Sequence, residues 1–242
     1  MGQQSQMSEF FFFRHGQASF GAKNYDRLSE KGVFQAGILG QHLAKLNVKF
    51  DAVYMGTMDR QKETACKVKA AYLEKGISFP EPVVDTSWNE IDSTRVWNAQ
   101  VRMMMKDEPG LLDDIKIDPS DKKAFQTVFS KVMSRWVSGD FDAPGDMTWN
   151  GFKQRVAQGL GHLCETFGKS KKIAVFSSGG PISIAAKAAL DLSDLKTLDL
   201  LWQVMNASIT RLKYDGQRIS LSGFNDITHI ELMHDKTLLT YR

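Results

Sequence analysis

Four consecutive phenylalanines, Phe10 to Phe13, run directly into Arg14, His15 and Gly16. An apolar β-forming run without polar residues at alternate positions is typical of a strand that is buried on both faces. Such strands occur in parallel sheets with helices on both sides. The polar residues that follow would then lie at the carboxyl end of the strand, where open α/β sheets bind their ligands.

Segments that favour strand and helix alternate along most of the chain. Residues 29–46 carry apolar side chains at helical spacing after Ser29, a good N-cap residue. A strand at 51–54, a helix at 59–73 and a strand at 83–85 follow. Beyond Thr148 we predict a long helix ending near Gly168, a strand at 173–176, a helix to about residue 190 and a hairpin turned at Asp215 and Gly216. This order predicts an α/β three-layer sandwich with a mostly parallel central sheet.

The alternation stops between about residues 92 and 147. This segment contains the run Met103 to Met105 and a helical stretch at about 123–137. We interpret it as a helical insertion that lies over the carboxyl edge of the sheet, within a single domain of residues 1–242. The methionines, with Arg95, Trp97 and Arg102, are candidates for a lid, although packing is the commoner role of such a run.

Charge and cysteine content exclude several classes of protein. The 242 residues carry a net charge of only +3, and the basic residues are scattered, which argues against a nucleic-acid partner. Cys66 and Cys164 are too few for a disulfide framework and do not form a metal-type pair. The phenylalanine run is too short to cross a membrane. We therefore expect a cytoplasmic protein with reduced thiols and no membrane partner.

The opening motif continues through Gln17, Ala18, Ser19 and Phe20, and is followed by Leu28-Ser29-Glu30-Lys31-Gly32 and Gln35-Ala36. This pattern resembles the start of the histidine phosphatase superfamily, also called phosphoglycerate mutase-like. The segments 54–65 and 88–92, the helix around Phe152 and Arg155, and a tail with Asn225, Asp226 and His229 are similar to later blocks of that family. The resemblance covers residues 10–229 apart from much of the insertion. It implies a phosphoglycerate mutase-like fold, a nucleophile at His15, a second phosphate-binding arginine at Arg60 and an acid at Glu90.

The fourth block departs from the family pattern. Most members have Ser-His-Gly after the strand, whereas this chain has Ser177-Ser178-Gly179, so Ser178 stands where the second histidine is expected. Loss of a comparable donor lowers a rate by roughly 100- to 1000-fold. Gly179, Gly180 and Pro181 open a helix, with Pro181 expected at the first helical position, and a helix start favours anions. The helix start would offset part of the loss.

The residue types themselves suit phosphoryl transfer. A histidine with an ordinary pKa of about 6.5 is partly uncharged near neutrality and can attack phosphorus. Arg14 and Arg60 can hold the phosphoryl oxygens without a metal ion or other cofactor, and Gln17, Ser178 and Gly179 are further candidate contacts. Glu90 could protonate the leaving group.

Some of these residues have other possible roles. Ser178 could be only an N-cap, and Glu90 could be a solvated loop carboxylate or a partner for Arg95. His42, His162, His229 and His234 are expected to be structural.

We predict a metal-independent phosphatase that acts on a small phosphorylated substrate. A phosphoglycerate mutase-type transferase and a weakly active phosphate-binding regulatory module are the alternatives. The sequence predicts neither the physiological substrate nor the oligomeric state.

Overall fold

The computed structural model describes residues 7–19, 24–113, 122–142 and 147–241. Within these residues six strands form one sheet in the order β3-β2-β4-β1-β5-β6. The strands are β1 (Ser8–Arg14), β2 (Ala52–Met55), β3 (Pro82–Val84), β4 (Lys172–Ser177), β5 (Ile209–Tyr214) and β6 (Ile219–Asp226). The helices are α1 (Glu30–Lys45), α2 (Asp59–Glu74), α3 (Ser93–Asp107), α4 (Lys122–Ser138), α5 (Trp149–Phe167), α6 (Gly179–Leu190), α7 (Asp194–Gln203) and α8 (Thr228–Glu231), with 3₁₀ turns at Thr86–Trp88 and Lys236–Leu238.

Strands β1 to β4 are parallel, whereas β5 and β6 add two antiparallel neighbours at one side of the sheet. The predicted mostly parallel sheet and the final hairpin are therefore confirmed. The hairpin turns at Gly216, which has a φ of +103°, and the Asp215 side chain accepts hydrogen bonds from the backbone N–H groups of Gln217 and Arg218. A residue with a side chain would be strained at that φ, which explains the glycine.

The phenylalanine run is apolar throughout because β1 lies in the centre of the sheet. Phe10 and Phe12 belong to the core on one face, and Phe11 and Phe13 belong to the core on the other face. All four side chains are buried. Helices cover both faces, so every side chain of this strand segment requires an apolar partner.

The segment that interrupts the alternation contains helices α3 and α4, of which only α4 is predicted from the sequence. The two helices share a small core that includes Val101, Met104 and Val132. Met104 is thus a packing residue. Helix α7 is also absent from the sequence-based predictions. No helix among the described residues combines the length and apolar character needed to cross a bilayer.

The predicted helix caps are present. Ser29 accepts a hydrogen bond from the backbone N–H of Gly32, and Thr148 accepts one from Gly151. Gly168 follows α5 with a φ of +50°. These caps place the starts of α1 and α5 at the residues expected from the sequence.

Candidate active site

The carboxyl ends of the parallel strands bring most of the predicted site residues to one edge of the sheet. Arg14 ends β1 and His15 follows it. Arg60 lies in the first turn of α2, just after β2. Ser178 follows β4, and Ser177 pairs with Arg14 in the parallel register. The topology, rather than proximity in the sequence, therefore assembles these polar groups.

The ring of His15 has a defined tautomer. Its Nδ1 lies 2.7 Å from the carbonyl oxygen of Gly16, which can only accept, so Nδ1 carries the hydrogen. Its Nε2 lies 3.1 Å from Nε of Arg60, which can only donate, so Nε2 presents a lone pair. Both neighbours therefore favour the same neutral imidazole, with Nε2 free of a proton.

Burial lowers the pKa of His15 well below its ordinary value of 6.5, because the charged imidazolium loses solvation. The nearby positive charges of Arg60 and Arg14 lower the pKa further, and the hydrogen bond to Gly16 opposes them only in part. The side chain is 4% exposed. His15 is therefore a neutral, shielded imidazole at neutral pH.

Arg60 is held between His15 and a carboxylate that the sequence analysis did not select. Its Nη1 forms an ion pair with Oδ1 of Asp26, and the other oxygen of Asp26 accepts from the backbone N–H of Asp59 at 2.8 Å. Arg60 is 6% exposed. Asp26 thus fixes the guanidinium group and the start of α2 together.

The guanidinium group of Arg14 contacts the protein backbone. Its Nη1 donates to the carbonyl of Val204 and its Nη2 donates to the carbonyl of Tyr241 at 2.7 Å. Its Nε is buried and has no hydrogen-bond partner among the described residues. Burial lowers the pKa of Arg14 to about 10, and the negative charge of Glu90 partly opposes this effect. Arg14 is at the site, but one of its amino groups is bonded to the residue after α7 and the other to the carboxyl-terminal segment.

The carboxylate of Glu90 lies at the amino end of α6. Its oxygens accept from the backbone N–H of Gly180 at 3.1 and 3.2 Å, and Oε1 also accepts from Ile91 at 2.9 Å. A helix start stabilises negative charge, and here a protein carboxylate occupies it. Glu90 is therefore held by backbone N–H groups and is not a freely solvated loop residue. Helix α6 begins at Gly179, so Pro181 is its third residue and not its first, a correction that leaves the proline within the tolerant first turn.

Ser178 is fully buried and stands at the N-cap position of α6, but its hydroxyl makes no capping hydrogen bond. Its Oγ accepts from Nε2 of Gln61 at 2.8 Å. A Cβ added to Gly179 would lie 3.9 Å from Oε2 of Glu90 and 4.0 Å from Cζ of Arg14. The structure thus brings Gly179, Glu90 and Arg14 together, beside Ser178.

Gln17 is predicted to contact the phosphoryl group, but its side chain is bonded to another residue of the protein. Its Oε1 accepts from the hydroxyl of Ser29 at 3.0 Å. Next to it, Gly16 and Gly32 are in close backbone contact, and a Cβ on Gly16 would collide with the carbonyl of Gly32. This contact explains both glycines and ties the histidine loop to α1.

The sequence places Arg155 in a family-like block without indicating a role for it. In the structure Arg155 holds the loop before Glu90. Its guanidinium donates to the carbonyls of Thr86, Ser87 and Asn89. Sequence analysis did not assign roles to Asp26, Gln61 or Arg155. Gln61 could have been noticed, because it lies on the same helical stripe as buried Ala65, Val68 and Tyr72.

The candidate lid residues separate into two groups. Arg95 and Arg102 line an open surface cavity together with Met103. Trp97 instead stacks on Phe125 and Phe129 of α4, with ring centroids 5.4 and 6.0 Å away. Trp97 therefore helps to join α3 to α4.

Similar solved structures share this fold at low sequence identity. A phosphoserine phosphatase from Entamoeba histolytica, solved with 3-phosphoglyceric acid, superposes with a TM-score of 0.63 at 20% identity, over 93% of this chain and 100% of that one. A phosphoglycerate mutase from Bacillus anthracis gives 0.62 at 17% identity, over 96% and 100%. A putative alpha-ribazole-5'-P phosphatase from Escherichia coli gives 0.60 at 16% identity, over 90% and 96%.

Comparison of the sequence with curated proteins found no significant match. A family model does match, over residues 10–227, and its description is histidine phosphatase superfamily, branch 1. The match spans both the Arg14-His15-Gly16 motif and the segment after β4. The chain therefore belongs to branch 1 of the histidine phosphatase superfamily.

Proposed function

We propose that this protein is a metal-independent phosphatase that hydrolyses a small phosphate monoester through a phosphohistidine at His15. The observation that carries the proposal is the buried neutral imidazole, whose Nε2 lone pair faces the guanidinium of Arg60. Attack on phosphorus requires that lone pair, and a nearby cation stabilises the charged phosphoryl oxygens. The buried Arg60 and the half-buried Arg14 can supply this charge without a metal ion.

In the first step Arg60 exchanges one partner for another. Its Nε–H leaves Nε2 of His15 and donates to a phosphoryl oxygen, while Asp26 retains Nη1. Nε2 then forms a bond to phosphorus as the bond from phosphorus to the ester oxygen breaks. The Nδ1–H bond to the Gly16 carbonyl stabilises the positive charge that develops on the ring.

Glu90 is the proposed proton donor to the leaving oxygen. It lies beside Gly179 and Arg14 at the start of α6. The proton passes to the departing alkoxide. In the second step the Glu90 carboxylate takes a proton from water, the water oxygen bonds to phosphorus, and the phosphorus to Nε2 bond breaks.

The substrate is proposed to be a small phosphorylated molecule. Proteins of the same fold have been crystallised with 3-phosphoglyceric acid and with phosphoserine.

The contacts of Arg14 and Glu90 favour a second candidate, a weakly active phosphate-binding module. The two amino groups of Arg14 are already bonded to backbone carbonyls, and the N–H of Gly180 is bonded to Glu90. A phosphate would have to compete with these internal bonds. Such competition would lower both affinity and rate.

Hydrolysis of p-nitrophenyl phosphate by the wild type and by His15→Ala, with a chelator present, tests the proposal. We expect chelator-resistant activity that falls by on the order of 10⁴-fold or more in the variant, because the nucleophile acts as part of a unit. Quenching in acid is unsuitable because acid hydrolyses phosphohistidine. The phosphoenzyme is therefore trapped in alkali, where phosphohistidine survives. His162→Ala, at an exposed position on α5, is the matched control and should retain full activity.

Phosphate binding without turnover or a trapped phosphoenzyme, across several phosphate esters, would favour the binding module. Activity that His15→Ala leaves unchanged would contradict the proposed nucleophile.

A further inference from the structure

Gln61 is a fully buried polar residue directly after Arg60. Its Nε2 donates to the carbonyl of Trp88 at 2.9 Å and to Oγ of Ser178 at 2.8 Å. The Trp88 oxygen can only accept, so this contact determines which end of the amide faces Ser178. Gln61 therefore donates to the serine hydroxyl and does not accept from it.

This direction determines where the hydrogen of Ser178 can go. Because Oγ accepts from Gln61, the hydroxyl hydrogen is directed elsewhere, and no described residue accepts it through a hydrogen bond. The hydroxyl also does not accept from the backbone of α6, which is the usual role of an N-cap serine. Ser178 therefore has a donor hydrogen that no residue in the described part of the chain uses.

Ser178 itself lies at the edge of the sheet that carries the candidate active site. Ser177 pairs with Arg14, and its carbonyl accepts from the backbone N–H of His15 at 2.9 Å. Ser178 is the next residue, at the same sheet edge as His15. Its neighbour Gly179 lies beside both Arg14 and Glu90.

The arrangement around Gln61 is costly for folding. Its Oε1 is buried without a hydrogen-bond partner in the described part of the chain. An unsatisfied buried acceptor costs about 1–3 kcal/mol. Gly56 leaves the space that the amide needs, since a Cβ there would collide with Oε1. An apolar residue would avoid this cost, so the amide is better explained by its Nε2 bonds than by packing.

We propose that Gln61 is a positioning residue that holds Ser178 as a neutral hydrogen-bond donor to the transferred phosphoryl group. This inference rests on the proposed phosphatase function. Gln61 acts only through Ser178 and does not contact the substrate. The pair replaces a titratable, cationic donor with a neutral one, whose donor capacity does not change with pH across the neutral range.

A double-mutant cycle on kcat/KM for p-nitrophenyl phosphate tests the coupling. The variants are Gln61→Met, Ser178→Ala and the double variant. Methionine has a similar length, and the Trp88 carbonyl keeps a second donor, the hydroxyl of Ser177 at 2.8 Å. We expect Ser178→Ala to lower kcat by roughly 100-fold, the range for loss of one donor to a transition state. Gln61→Met should lower it by about 10-fold, and the double variant should match Ser178→Ala within about twofold.

If Gln61 had only a structural role, Gln61→Met would lower kcat by the same factor in the wild-type and Ser178→Ala backgrounds. That result would overturn the inference while leaving the phosphatase proposal intact. Gln61→Glu provides a second variant of nearly the same shape. Its carboxylate would accept the Ser178 hydrogen and turn it away from the phosphoryl group, so kcat should fall as far as in Ser178→Ala. Wild-type activity in Gln61→Glu would contradict the inference.

Orthovanadate binding by calorimetry gives a readout that does not require turnover. If the wild type binds vanadate but does not measurably hydrolyse p-nitrophenyl phosphate, the same double-mutant cycle is measured on vanadate affinity. The positioning role is supported if Gln61→Met lowers the affinity in the wild-type background but not in the Ser178→Ala background. Equal vanadate affinity in all four proteins would overturn it. A wild type that neither binds vanadate nor hydrolyses the ester would overturn this inference together with the proposed function.

Discussion

The two sides of the candidate site hold their polar groups in different ways. On the α2 side, the carboxylate of Asp26, the guanidinium of Arg60 and the imidazole of His15 form one chain of hydrogen bonds that carries formal charges. On the α6 side, Ser178 is held by a neutral amide and Glu90 is held by backbone N–H groups.

The difference has a physical consequence. Charged partners on the α2 side act on the protonation of His15 through the electrostatic field, because opposite and like charges within a few ångströms shift a pKa. The α6 side depends on backbone geometry and on the space left at glycines. A substitution on the first side should therefore alter charge and rate, whereas one on the second should alter packing as well.

Among the substitutions that distinguish the two sides, the largest effect is expected from Arg60→Ala, which breaks the charged chain at its centre. We expect kcat/KM for p-nitrophenyl phosphate to fall on the order of 10³-fold, since one donor to the phosphoryl oxygens and one electrostatic clamp are lost. Lys67→Ala, an exposed residue on the same helix, controls for charge removal and should stay near the wild type. A loss below tenfold for Arg60→Ala would argue against its role.

A smaller effect, mainly on stability, is expected from Gly180→Ala on the α6 side. The added Cβ would collide with Oε1 of Glu90 and lie 3.0 Å from Cζ of Phe152. Displacing these groups should lower the free energy of unfolding by about 1–3 kcal/mol, the usual range for overpacking. Chemical denaturation measures this change, and kcat should fall with it because Glu90 moves.

The matched control for that prediction is Gly161→Ala. Gly161 lies within α5, and a Cβ there would meet nothing within 4 Å. This substitution should raise the free energy of unfolding by about 0.5–1 kcal/mol, because alanine favours a helix more than glycine does. Equal destabilisation at both positions would refute the argument from space at Gly180.

The smallest expected change is in the pKa of His15. NMR of the ring nitrogens in histidine-labelled protein measures this pKa. Burial and the cations Arg60 and Arg14 all disfavour the imidazolium, so the ring should stay neutral well below pH 6.5. Loss of Arg60 removes one of these cations, so the pKa of His15 should rise in Arg60→Ala while burial still holds it below 6.5. His15→Gln assigns the signal. Titration of the wild-type ring near pH 6.5 would contradict this account.

The outline of the fold could be predicted because it depends on local patterns. Phe10 to Phe13 predict a strand buried on both faces, and the structure places alternate members in the two cores. Ser29, Thr148 and Gly168 mark helix ends through bonds to nearby backbone. Helix α3 was missed, and its buried face carries Gln100 as well as apolar residues, which weakens the periodic signal.

The sequence by itself determined the alternating α/β order, the strand that ends in Arg14 and His15, and the family motif around them. Only the tertiary structure showed that Asp26 pairs with Arg60 across 34 positions, that Gln61 holds Ser178 across 117, and that Arg14 reaches Tyr241 across 227. Strand and cap signals arise from neighbours along the chain, so a sequence records them directly. Partners of buried polar side chains are chosen by how distant segments pack, and a single sequence carries no local pattern for that choice.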